Sequence, residues 1–87
     1  MLKYYYYEDA GHSWLKVPKA RIQELGIANQ ITQYSYQRQG YAYLEEDSDA
    51  GTFLTAFEQQ YGCMPLTDTI WDGDTSPIRD YPHYEEA

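Results

Sequence analysis

With a single cysteine, Cys63, among 87 residues, no internal disulfide can staple the fold, and the simplest setting for the chain is a reducing, cytosolic one. Long apolar runs are also missing. Nothing approaches the roughly 18 residues a membrane span needs, and Met1-Leu2-Lys3 followed by four tyrosines offers no signal-peptide core. Basic residues are few, six against fourteen acidic ones, giving a net charge of −8. Counterion release on phosphate needs lysine and arginine clusters, so direct nucleic-acid binding is not expected. Phosphate-cradling glycine loops, HExxH and CxxC are absent, and no cofactor is implied.

The acidity that is present lies in one half of the chain. Residues 1–44 carry five basic and three acidic side chains, a net of +2; residues 45–87 carry Arg79 and eleven acidic ones, a net of −10. Such asymmetry favours a basic partner. A plainer alternative is that the charge only keeps a small protein soluble. Hydrophobic residues at 43% suffice for one globular core and are too many for a disordered chain. The expectation is a single domain over 1–87, with an ordered core about 1–72 and a partly mobile tail over 73–87.

Leu2–Tyr7 is an aromatic strand, Glu8-Asp9-Ala10-Gly11 a turn, and His12–Val17 its partner. In that second strand Ser13, Leu15 and Val17 share one face, Trp14 and Lys16 the other. Pro18 and Gly26 bracket a short helix carrying Ile22 and Leu25. Ile31–Tyr36 reads as a strand turning at Gln39-Gly40 into Tyr41–Leu44. Asp47-Ser48-Asp49 then offers an N-cap for a stronger helix holding Phe53, Leu54, Phe57 and Tyr61, closed by Gly62. Thr69-Ile70-Trp71 fits a short edge strand. The predicted class is α+β: an antiparallel sheet of two hairpins with two helices on one face, ordered ββαββα, and an irregular acidic C-terminal tail.

Catalytic patterns are weak, and no enzyme is expected. Asp72-Gly73-Asp74 lacks the alternating ligands and closing glutamate of a calcium loop and reads as a turn. His12, His83 and Cys63 match no ligand spacing. Glu45, Glu46, Asp47 and Asp49 sit at a surface strand-to-helix junction, a poor place to separate two carboxylate pKa values. The informative excess is eleven tyrosines, several of which must face out of a two-hairpin sheet. Two binding modes follow. In one, carboxylates imitate phosphates in a Lys/Arg-lined groove; the contact set is Glu45, Glu46, Asp47, Asp49, Asp68, Asp72, Asp74 and Asp80, with Tyr41 and Tyr43 nearby. In the other, a Tyr-rich face or a sheet edge makes an adaptor or homodimer. The protein is then a monomer or a homodimer accordingly.

Gly11-His12-Ser13-Trp14-Leu15-Lys16-Val17-Pro18, Leu25-Gly26-Ile27-Ala28, Tyr34-Ser35-Tyr36 and Tyr43-Leu44-Glu45-Glu46-Asp47-Ser48-Asp49 resemble a family of small uncharacterised proteins of phages, plasmids and other mobile elements. The resemblance covers roughly residues 4–57 and carries no assigned activity. In size, acidity and lack of enzyme motifs the chain is also similar, as a class, to anti-CRISPR and anti-restriction proteins. That similarity implies an inhibitor, a DNA mimic acting in the cytoplasm of a bacterial host. Its partner would be a CRISPR effector or nuclease, blocked where DNA or a guide-paired strand must enter.

Overall fold

A computed structural model describes residues 2–86; the ends of the expected domain, Met1 and Ala87, lie outside the described residues. The chain is α+β, with strands β1 (Lys3–Glu8), β2 (Ser13–Pro18), β3 (Tyr36–Arg38), β4 (Tyr41–Glu45) and β5 (Leu66–Trp71) in one sheet. Helix α1 (Lys19–Glu24) follows β2, helix α2 (Asp49–Tyr61) follows β4, and 3-10 turns occupy Ala28–Gln30 and Pro77–Asp80. The sheet order is β3-β4-β2-β1-β5.

Alternation in β2 divides the molecule into two cores. Leu15 and Val17 are fully buried and meet Ala42 and Leu44 of β4, Ile22 of α1, and Ala50, Phe53 and Phe57 of α2. Tyr4 presents its ring edgewise to Phe53 at 5.4 Å, an arrangement its quadrupole favours. Both helices therefore cover one face. On the other, Trp14 and Tyr43 pack with Ile78, with Tyr7, Tyr36 and Tyr81 around them. The segment after Asp72 supplies this second layer and then wraps past β3. Gln37 N–H donates to Pro82 O (2.9 Å), Tyr84 N–H donates to Ser35 O (2.8 Å), and the Tyr84 ring joins the helix-side core.

Two features differ from the sequence expectation. The sheet is mixed, because β5 pairs parallel to β1, from Lys3↔Leu66 to Glu8↔Trp71. Return through α2 brings the chain back in the same sense, as a helical crossover does. The strand expected over Ile31–Tyr36 begins only at Tyr36. Thr32 and Ser35 instead spend their hydroxyls on the Asp49 carboxylate, and Ser35 Oγ accepts the Glu45 N–H. Side-chain bonds of this kind compete with a strand ladder.

Candidate functional site

Strand register gathers acidic residues at one end of the sheet. Glu8 lies opposite both Ser13 and Trp71, and Trp14 lies opposite Glu45. Glu46 N–H donates to Ser13 O (3.2 Å), and Ser13 Oγ donates to the Glu46 carboxylate. Asp72 N–H donates to Glu8 O (2.7 Å) and Ala10 N–H to Asp74 O (3.3 Å). Glu8, Glu45, Glu46, Asp47, Asp72 and Asp74 thus share one end. Lys3, Lys19 and Arg38 lie toward the other, at the start of β1 and just beyond the ends of β2 and within β3.

At the acidic end, His12 Nδ1 stands 3.5 Å from Glu46 and 3.7 Å from Glu45. One ligand atom from each of His12, Glu45, Glu46 and Asp47 falls within 4.8 Å of the others, so among the described residues these four form a group that could hold a metal ion. Burial first, then the nearby Asp47 charge, pushes the Glu45 carboxyl up, against the opposing pull of the Asp47 N–H and His12. A cleft of about 510 Å³ opens beside them, walled by Trp14, Tyr34, Tyr36, Thr32 and Arg79. A larger depression of about 610 Å³, by Gln23, Gly26 and Asn29, has Glu86 as its one charged wall and no comparable cluster.

Asp9, in the neighbouring β1–β2 turn, behaves oppositely. Its carboxylate is buried and accepts from Arg79 Nε (2.6 Å) and Nη2 (2.9 Å), and from the N–H groups of Gly11, His12 and Ser76 (2.9 Å each). The Arg79 bond above all, helped by these N–H donors against burial, holds it far below the usual carboxylate range. A Cβ on Gly11 would sit 2.9 Å from Arg79 Nη2, so a larger residue there would crowd the guanidinium that Asp9 holds. Arg79 in turn lies over Trp14, 5.1 Å from the ring centre, seating Ile78 beneath the sheet. Its charge is answered by Asp9, which leaves the cleft acidic.

The contact set expected from sequence divides. Glu45, Glu46 and Asp47 come together, and Asp72 and Asp74 lie at the same end of the sheet, with Asp72 also accepting from Ser76 Oγ (2.6 Å). Asp49 is only 1% exposed: its Oδ2 takes Thr32 N–H (3.0 Å), Thr32 Oγ1 (2.7 Å) and Ser35 Oγ (2.6 Å), and its Oδ1 has no partner. Asp68 lies midway along β5, 3.6 Å from Lys3 Nζ, and Asp80 is exposed in its 3-10 turn. Tyr41 is exposed under Lys16 Nζ (4.4 Å), whereas Tyr43 is buried against Tyr81. Sequence reasoning passed over Glu8 and Trp71 as site residues; Glu8 belongs to the basic half and joins the acidic end only through strand pairing.

No family model matches the chain, and no curated protein or solved structure matches it.

Proposed function

We propose that the protein is a non-enzymatic binding protein whose acidic end enters a Lys/Arg-lined site that otherwise receives nucleic acid, blocking it by bulk and charge. One observation carries this reading: strand pairing brings six carboxylates from β1, the β4–α2 junction and the segment after β5 to one end, where His12 stands beside two of them and Arg79 is already spent on Asp9. Clustered anions repel one another in the free protein, and a cationic surface relieves that repulsion on contact. The class resemblance supplies the kind of partner, a bacterial defence nucleoprotein complex such as a CRISPR effector or nuclease. Among the described residues no helix is long and apolar enough to cross a membrane. The competing tyrosine-face reading is less favoured, because Ile78 and Tyr81 cover Trp14 and Tyr43.

The test is competition. The protein displaces DNA from the complex it captures, and the capture weakens steeply with added salt. Glu46→Lys, Asp47→Lys and Asp74→Lys together weaken it about 30-fold or more, as expected when several charges lose their partners. Unchanged affinity in that triple variant removes the reading.

A further inference from the structure

Beside the acidic end runs an open sheet edge. All six residues of β5 are exposed, including Leu66, Ile70 and Trp71, and β1 occupies only one of its two sides. Leu66 and Asp72 turn their N–H groups toward β1. By alternation, Thr67, Thr69 and Trp71 turn theirs, and their carbonyls, outward. Unpaired rows of this kind are templates for another strand, and proteins ordinarily blunt them. Here the guard is partial. Asp68 accepts the Thr69 N–H at 2.8 Å and also meets Lys3 at 3.6 Å.

We propose that β5 receives an extended, lysine- or arginine-bearing segment of the partner as a sixth strand. This rests on the acidic-end reading and names its contact. The argument is charge complementarity. An incoming strand must give Thr69 N–H a carbonyl and draw Asp68 off it, which a cationic side chain does. Asp72 and Glu8 continue the negative charge at the end of β5. The exposed Trp71 ring adds a face on which a cation can rest. Backbone bonds then supply affinity and the alternating side chains specificity. A second copy fits less well. The antiparallel register that uses all three outward residues sets Thr69 against Thr69 and Thr67 against Trp71, displacing two Asp68 side chains and bringing no cation beyond each copy's own Lys3 to receive them. Each copy also carries −8.

The probe is a blocked eight-residue peptide of alternating lysine and valine, titrated into isotopically labelled protein while backbone amide shifts are followed. Saturable shifts centred on Thr67, Thr69 and Trp71 are expected, with no binding by an alternating glutamate–valine peptide. Thr69→Pro should weaken binding about tenfold or more; its lost N–H faces away from β1, so the sheet keeps its ladder. Should that variant not fold, the lysine–valine peptide N-methylated at every backbone nitrogen, so that neither of its edges can pair, carries the test and should not bind. Equal binding of the methylated peptide, or shifts confined to Glu46, Asp47 and Asp74, overturns strand addition and leaves the acidic end standing. Partner capture that survives the triple charge reversal but is lost in Thr69→Pro supports the β5 contact and removes the acidic-end reading. A concentration-dependent dimer dissociated by Thr69→Pro assigns the edge to a second copy and overturns the proposal.

Discussion

Two neighbouring groups of carboxylates use the same chemistry to opposite ends. In the β1–β2 turn, Asp9 accepts bonds from two guanidinium nitrogens and three backbone N–H groups, and it ties the segment 76–79 to the first hairpin. At the β4–α2 junction, Glu45, Glu46 and Asp47 face one another and His12, with few donors aimed at them. The first arrangement consumes charge to hold the fold. The second leaves charge unanswered at the surface, which is what a partner-binding end requires. Composition does not separate them; the number of donors each carboxylate meets does.

The largest break in that comparison comes from Asp9→Ala. It removes the acceptor from five donors at once and leaves Arg79 without its buried counter-charge, a change of the kind that destabilises strongly. The variant should melt roughly 10 °C or more below the parent in a calorimetric scan. The wild type should also show the acid signature of a depressed carboxyl. Its stabilisation is complete above the ordinary carboxyl value of about 4 and is lost progressively as pH falls below it. The Asp9→Ala variant should lack that loss.

A smaller effect tests the link between the two regions. Asp49 holds Ser35, and Ser35 Oγ accepts the Glu45 N–H, so a buried carboxylate positions the acidic end from beneath. Asp49→Ala leaves Thr32 N–H and two hydroxyls without their acceptor and should cost about 2 kcal/mol in a denaturant titration. Amide shifts at Glu45 and Glu46 should move with it.

Much of this frame was legible in the sequence. The 15/17 against 14/16 alternation of β2 assigned both faces correctly, and Phe53, Phe57 and Gly62 marked α2 and its left-handed end. The parallel position of β5 was not legible. All its residues are exposed, so its pattern holds no record of a face, and its partner β1 lies some sixty residues away in the chain. The delayed start of β3 depends on Thr32 and Ser35 finding Asp49, a long-range bond that propensity does not encode. For the site, charge counting found the 45–47 cluster but also enrolled Asp49, which is buried, and missed Glu8, which pairing alone brings there.

Smaller still is the effect of thinning the acidic end itself. Asp47→Asn removes one of the charges crowding Glu45 and should raise the melting temperature by about 1 °C, within the range of ordinary surface substitutions. Added salt should reproduce the gain in the wild type by screening the same repulsion. In the Asp9→Ala variant the gain from salt should persist, because the acidic cluster is intact there. A salt response that vanishes with Asp9 would instead place the repulsion elsewhere.

The finest test sets the two regions against each other by pH. Asp9 is held low and Glu45 high, so their contributions to stability run in opposite senses. Burial and Asp47 disfavour the Glu45 carboxylate in the folded state, so the native protein holds this proton more tightly than the unfolded chain. Its favourable contribution is therefore full below the ordinary glutamate value, and it is lost as pH rises through the folded value above it. Between that folded value and the ordinary carboxyl range, lowering pH should stabilise the protein slightly through Glu45; below that range, lowering it further should destabilise through Asp9. Glu45→Gln should abolish the first slope and leave the second, read as melting temperature across a pH series. A Glu45→Gln profile that parallels the wild type throughout would mean that neither burial nor Asp47 holds the Glu45 carboxyl up. The contrast between the two regions would then rest on Asp9 alone.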